Sequence, residues 1–498
     1  MQRMKNYIIL FLTFLGLFLQ VNCAPEDLRT DNPDVSEDNE IQDFIWQGMN
    51  LFYLWQESVE NLADDKFTTS SEYINFLNSR SKPGDFFDIL IYKPGDVDKW
   101  SWIVDDYEKQ DQAFQGISLD NGVNFGLVKI NSDEVIGYVR YILPNSDASN
   151  KNIKRGDIIT HVNNTKLTIN NYASLLFDQN NPTYTLGLAK MENNIIIPTG
   201  VSVELTKTEY TENPVFIAKT IDKNGHKIAY LMYNWFTRNF DDALNAAFLE
   251  FKNEGITDLV VDLRYNPGGF VTSAIAISGM ITGQFKGEIF SKEEWNSKFQ
   301  EEFQNSDPES LIAKFTDKLS NGHRINSLTL TKVHFIVTGK SASASELVIS
   351  SLKPYIDVRL VGTRTVGKYV ASTTLYDSDN FSKSDINPNH TYAIQPIIYK
   401  SVNKLGESAK DGIEPQLVLA EDIGDLGILG DTEEPLLNMV IADITGTAAK
   451  LSDPKKMYYE TIGDGDMNSR VKNNMFADDD DDRIFLKKRF DKKRDRLN

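Results

Sequence analysis

The stretch DLVVDLRYNPGG, residues 258–269, sets the fold class. Asp258 to Leu263 is a short apolar run rich in β-branched residues, the pattern of a strand buried on both faces. Asn266-Pro267-Gly268-Gly269 then stops it with turn residues. Working outward, Lys227 to Tyr233 reads as a strand, and Asp241 to Asn253 carries Leu244, Ala247, Phe248 and Phe251 on one helical face. Phe270 to Met280 reads as a helix. Lys332 to Thr338 (KVHFIVT) is a second buried strand, a helix follows from about Ser343 to Lys353, and Val358 to Thr363 is a third strand. Strands alternating with helices predict an α/β core around a mostly parallel sheet. Residues 284–325 are polar and expected to be helical, an insertion placed to lie over a site.

The chain has 498 residues, which points to several domains. Before the core, Ile41 to Trp55 (IQDFIWQGMNLFYLW) has Phe44, Met49, Leu51, Phe52 and Trp55 at helical spacing, opening a small helical domain over 41–105. The aromatic stripe is read as core. Residues 110–205 change to short β-rich runs, with turns at Asn145-Ser146-Asp147, Arg155-Gly156-Asp157 and Asn163-Asn164. The core spans 208–430. Residues 431–498 form an extension whose end carries five aspartates, Asp478 to Asp482, and then the basic run Lys487 to Arg496, both read as solvated and disordered.

Hydrophobic residues at 41% and aromatics at 11% are enough for a sizeable core and exclude global disorder. A formal charge of -20 repels nucleic acid over the whole body, so no nucleic-acid partner is expected. With one cysteine there is no internal disulfide, and five histidines without ligand spacing argue against a metal. No cofactor is expected.

Arg3 and Lys5 followed by an apolar run from Tyr7 to Val21 read as an export signal over 1–22. The run is too short to span a bilayer as a helix. The sole cysteine, Cys23, stands where it ends. This resembles a bacterial lipoprotein signal, which implies lipidation of Cys23 and a membrane-anchored protein of the cell envelope, tethered by the acidic segment 23–40. Asn22 departs from the small residue commoner before such a cysteine.

The strand, turn, short helix, Gly-Asp, strand order between Ile136 and Asn164 resembles a PDZ module. Such a module binds a peptide as an added strand at a sheet edge, with backbone N–H groups capturing the peptide's terminal carboxylate. The corresponding loop is Asn124-Phe125-Gly126-Leu127. It lacks a second glycine after the leucine.

Three elements at predicted strand ends carry chemistry. The glycine pair Gly268-Gly269 lets backbone N–H groups approach a cleft closely, as an oxyanion hole requires. Ser341-Ala342-Ser343-Ala344-Ser345-Glu346 puts serines at a helix start, where free N–H groups also favour an oxyanion. Thr365-Val366-Gly367-Lys368 supplies a lysine behind a turn glycine. Singly, each has a plain structural reading: an N-cap, a turn, a solvated lysine.

Together these blocks resemble the C-terminal processing serine peptidases and their tricorn-type relatives, whose core is a crotonase-like or ClpP-like α/β sheet, usually with a PDZ module. The resemblance covers roughly residues 110–420 and includes the closing turn Asp411-Gly412-Ile413-Glu414-Pro415. It implies Ser343 as nucleophile, Lys368 as general base, and the N–H groups of Ala344 and of Gly268 or Gly269 as oxyanion donors. A lysine acts as base only when neutral, so burial must depress its pKa. Many relatives place a glutamine four residues after the lysine. Here that position is Ser372, a candidate for orienting Lys368. A Ser-His-Asp arrangement is a competing assignment, although His334, on the strand before Ser343, is read as a core residue. The expected function is extracytoplasmic serine endopeptidase, with a peptide-binding lipoprotein lacking activity and an esterase as rivals. No Gly-x-Ser-x-Gly elbow surrounds Ser343. The oligomeric state is not legible.

Overall fold

Six strands form the central sheet, in the order Val215–Lys223, His226–Tyr233, Asp258–Asp262, Lys332–Val337, Asp357–Gly362, Leu417–Val418. All but the first run parallel. The computed structural model describes residues 35–36, 38–178, 180–449, 459–466 and 475–476. The expected export signal, Cys23, nearly all of the acidic tether and the charged run from 478 onward lie outside them.

The apolar runs place side chains alternately on the two faces, as a doubly covered sheet requires. From Lys332–Val337, Val333, Phe335 and Val337 enter the larger core, under the helices Asp241–Glu254, Val271–Ile281 and Ala344–Leu352. His334 and Ile336 face the other way, towards the helix Pro435–Thr445. That helix packs Leu436, Leu437, Val440 and Ile441 on the sheet, so the core continues past residue 430, where the sequence places an extension. The four apolar residues form one stripe and need a sheet to cover it.

A second sheet stands beside the first, in the order Gly269–Phe270, Met475–Phe476, Val370–Ser372, Ile397–Val402, Ile289–Trp295, Ile312–Lys314. The segment expected to be helical over 284–325 thus contributes two strands here as well as the helix Ser297–Ser306. Its polar character misleads because a paired strand satisfies its backbone whatever its side chains. It is built into the sheet and against the N-terminal unit, where Asn296 Nδ2 donates to Leu51 C=O at 2.9 Å.

In the N-terminal unit, Phe44, Met49 and Phe52 are buried in the same core as the central sheet. The β-rich unit has its own core, including Phe125, Leu127, Val139, Ile159, Leu176 and Leu186. Its strands run in the order Glu460–Asp464, Val123–Lys129, Val135–Ile142, Ile158–Val162, Thr183–Glu192, Ile195–Thr206. The Asn163-Asn164 turn has positive φ at both residues, 49° and 61°, which asparagine tolerates best among residues bearing a side chain.

A buried ion cluster joins this unit to the core. Arg264 is fully buried and donates to Asp262, Glu434 and Glu421. Arg155, from the β-rich unit, reaches Glu421 at 2.9 Å and the Tyr265 hydroxyl at 2.9 Å. Burial would raise the Glu421 carboxyl, but Arg155 and Arg264 outweigh it and hold it at about 2. Hydrogen bonds surround these charges, the condition under which buried ions are tolerated.

Candidate active site

The parallel strands deliver three loops to one end of the central sheet, where sites in open α/β sheets form. The glycine turn leaves Asp258–Asp262, the serine segment leaves Lys332–Val337, and the lysine turn leaves Asp357–Gly362.

Asn266, completely buried, locks the glycine turn. Its Nδ2 donates to Tyr233 C=O at 2.8 Å and its Oδ1 accepts the Gly268 N–H at 2.9 Å. Its C=O accepts the Ala342 N–H at 3.1 Å and the Ser345 hydroxyl at 3.1 Å, tying the glycine turn to the serine segment. Gly268 (φ 118°) must be glycine, because a Cβ there would stand 2.6 Å from Ser343 Cβ and 3.0 Å from Ser343 Oγ. Gly269 (φ 132°) has no room either, as a Cβ would meet Phe236 C=O at 2.0 Å.

The N–H groups of the two glycines point in different directions, and neither stands open. The Gly268 N–H is spent on Asn266. The Phe236 N–H donates to Gly268 C=O, and the Phe270 N–H to Phe236 C=O. Peptide groups alternate along a strand, so the polar groups of Gly269 face the opposite edge. Ala344 begins the helix Ala344–Leu352, and its N–H lies 3.0 Å from the position a Gly268 Cβ would take.

Ser343 has φ 62° and ψ −116°, a backbone that residues with side chains rarely adopt. Such strain costs about 1–3 kcal/mol and is held by the surrounding structure. Its Oγ is buried with no hydrogen-bond partner among the described residues. Ser343 is the N-cap of this helix and pairs with Glu346 in the placement of a capping box, with its hydroxyl making no full hydrogen bond there.

Glu346 does the work of holding the segment. Its Oε2 accepts the N–H of Ser343 at 2.8 Å and of Lys368 at 2.8 Å. Its Oε1 accepts the Gly367 N–H at 2.7 Å and the Thr365 hydroxyl. Thr365 Oγ1 in turn accepts the Ile413 N–H at 2.7 Å. One carboxylate thus clamps the serine backbone to the lysine backbone, and the closing turn at 411–415 backs the clamp. Gly412 is needed there, because a Cβ would meet Thr365 C=O at 2.4 Å. The sequence reading gave Glu346 no role, although the Ser-x-x-Glu spacing of a capping box was present.

Lys368 is almost completely buried and lines one small cavity with Ser343, Glu346 and Tyr369. Burial pulls its amine well below the ordinary lysine value, against the opposing charges of Asp98 and Glu346. Its Nζ lies 5.7 Å from the centre of the Trp100 ring. Asp98 is held by the Tyr53 hydroxyl at 2.7 Å and the Ser101 N–H at 2.9 Å. The N-terminal unit therefore closes the lysine's surroundings, which no local pattern around Asp98 or Trp100 announces.

Ser372 is buried on the second sheet, where its Oγ accepts from Gln395 Nε2 at 3.2 Å. Gln395 Oε1 accepts from Thr374 and Gln110, and Gln110 Oε1 accepts from Trp102 Nε1. Sequence reasoning missed Gln395 entirely. His334 bonds Asp443 at 3.0 Å on the face away from the serine helix, as a core histidine would. Phe125, Gly126 and Leu127 lie in the strand Val123–Lys129 of the β-rich unit rather than at the serine. Among the described residues, no group of three or more His, Cys, Asp or Glu side chains is placed to hold a metal.

A sequence model of Peptidase family S41 matches residues 227–418, and one of the Peptidase S41 N-terminal domain matches residues 40–102. The chain belongs to peptidase family S41. Among curated relatives, a protein of Staphylococcus epidermidis named "Probable CtpA-like serine protease" is 26% identical over 277 residues, 55% of this chain and 50% of its own. A Staphylococcus aureus protein of the same name is 26% identical over 299 residues, 57% of this chain and 54% of its own. The chain thus spans about half the length of the curated relatives it matches. Among solved structures, an S41 protease chain from Bacteroides fragilis superposes with a TM-score of 0.62 at 22% identity. That match covers 84% of this chain and 98% of the other, and shows a shared S41 fold.

Proposed function

We propose that this S41 chain is a serine endopeptidase in which Ser343 and Lys368 form the catalytic dyad. The observation that carries this is a strained, unpartnered, buried serine hydroxyl sharing one cavity with a lysine whose burial favours the neutral amine. In the first step Ser343 Oγ attacks the scissile carbonyl while Lys368 Nζ takes the hydroxyl proton. The developing oxyanion lies against the Ala344 N–H, backed by the helix N-terminus, and against the N–H of Gly268 or Gly269. The lysine ammonium then protonates the leaving amine, and a water, deprotonated by the same lysine, hydrolyses the acyl-enzyme. Ser372 and Gln395 extend the polar surroundings from the second sheet.

The same reading makes the β-rich unit a PDZ-like peptide reader, with the strand through Phe125, Gly126 and Leu127 as its docking edge. It supports protein or peptide substrates and needs no cofactor. Incubation with casein and with a panel of unstructured peptides tests it directly, alongside labelling by a fluorophosphonate located by mass spectrometry. Cleavage with the label on Ser343 is expected; an inert chain, or a label elsewhere, would overturn the reading.

Export and anchoring belong to the same proposal. Arg3, Lys5, the apolar run and Cys23 support a lipid-held protein outside the cytoplasm. Metabolic labelling with a fatty-acid probe is expected for the wild type and not for Cys23→Ala; equal labelling of both would remove Cys23 from the account.

A further inference from the structure

The strand Val123–Lys129 is not an open edge. The chain's own segment Glu460–Asp464 pairs with it antiparallel, Glu460 opposite Lys129 and Asp464 opposite Gly126. The Gly465 N–H continues the ladder to Phe125 C=O at 2.9 Å. Ile462 packs on the core of the β-rich unit, in the manner of a side chain anchoring an added strand.

The polar end of this contact is built for a carboxylate. Asp464 Oδ2 lies 2.6 Å from Lys340 Nζ and 3.4 Å from Arg140 Nη1. The Arg140 side chain is only 4% exposed, and its Nε has no partner among the described residues. Its guanidinium carbon sits 5.0 Å from the Tyr265 ring centre and 5.6 Å from that of Tyr138, which favours a cation there. Asn124 Nδ2 donates to Asp466 at 3.0 Å. Arg140 belongs to the β-rich unit, whereas Lys340 stands three residues before Ser343. A carboxylate held between them bridges the peptide-docking edge and the serine segment.

Farther along, the same chain reaches the chemistry. Met475 pairs in parallel with Gly269 and Phe476 with Phe270, while Phe476 is also in register with Ser372. The backbone edge that Gly269 turns away from Phe236 is the edge this segment occupies.

We propose that the edge of Val123–Lys129, with Arg140 and Lys340 at its end, is a carboxylate-reading peptide site whose resident ligand is this chain's own segment 459–466. Peptide substrates enter by displacing that segment with an acidic residue of their own. The substrate clause rests on the peptidase reading; the binding clause does not. An intramolecular ligand competes at an effective concentration that reaches the millimolar range for short connections, so outside peptides are held back until the segment lets go.

The test uses the full chain carrying Ser343→Ala, so that nothing is cut, and a fluorescein-labelled peptide of residues 459–476. By fluorescence anisotropy the peptide should bind the Asp464→Asn chain about tenfold or more tightly than the parent, because a charge-assisted contact holding the resident has been weakened. The same peptide carrying Asp464→Asn should lose that gain, and Lys340→Ala in the protein should erase the preference for the acidic peptide. Asp464→Asn is isosteric, and an unchanged Tm will show that the fold is kept. Should it lower Tm, the Lys340→Glu protein with the peptide Asp464→Lys provides the charge swap, and restored binding there supports the proposal. Equal binding of parent and Asp464→Asn chains, or of acidic and amide peptides, overturns it. With Ser343 restored, Asp464→Asn should lower KM for acidic peptides. If the binding difference is found but no peptide is cut, the peptidase reading has failed and the peptide site stands.

Discussion

Lys368→Met is expected to lower kcat on peptide substrates by about 10⁴ or more, while Ser343→Ala lowers it by roughly 10⁶. The methionine keeps the length and apolar contacts of the lysine stem and removes only the base. The two losses should not add, because the residues act as a unit. In the wild type, kcat/KM should rise with pH as the amine loses its proton. The inflection should lie well below the free-lysine value of about 10.4, since burial is the dominant cause of the depressed pKa. Stability gives an independent readout. The unfolded chain binds a proton at Lys368 at pH values where the folded chain does not, so folded stability rises with pH between the depressed and ordinary values. Below and within that window the folded state carries all or part of the burial penalty, so Lys368→Met should unfold at a higher temperature than the wild type at pH 7. A variant that is inactive and no more stable would mean that Asp98 and Glu346 offset the desolvation. A pH profile with its inflection near 10.4 would show an ordinary, solvated lysine.

Glu346→Gln is expected to lower kcat by about 10² or more with little change in KM, and to cost several degrees of thermal stability. Each carboxylate oxygen accepts from two donors: Ser343 and Lys368 N–H on one, Gly367 N–H and Thr365 hydroxyl on the other. Whichever way a glutamine is flipped, its NH2 group faces two donors. A buried donor left unsatisfied costs about 1–3 kcal/mol, and the serine's strained backbone loses a restraint. Glu346 touches no substrate in this account; it positions the two residues that do. The split between kcat and KM separates this from simple unfolding, as does the retained peptide affinity of Glu346→Gln at temperatures below its transition. Wild-type kcat in Glu346→Gln would show that the clamp is not needed.

Much of this arrangement was legible from local pattern. DLVVDL is a strand wherever it is buried on both faces, and Asn-Pro-Gly-Gly can only end it. The alternation of such strands with helices led to the parallel sheet, and the order of the glycine, serine and lysine blocks led to Ser343, Lys368, Ala344 and the pair Gly268-Gly269 at one end of it. The helix Pro435–Thr445 lay beyond the expected core because its four-residue apolar stripe, taken alone, does not say which surface covers it. The strands within 284–325 were hidden by polar side chains whose backbone pairing needs no apolar alternation.

Residues far apart in sequence decided the rest. Local pattern was enough to place the buried strands of the central sheet, the glycine pair that ends one of them, and the serine and lysine that follow the others, because those properties depend on side chains within a few positions. Long-range packing makes Gly268 spend its N–H on Asn266, closes Asp98 and Trp100 around Lys368, lets Glu346 clamp two loops, and lays residues 459–466 on the edge of Val123–Lys129. Strand pairing is made by backbone groups that every residue carries, and burial of an amine is made by whichever distant surface folds over it, so neither leaves a signature in the local sequence.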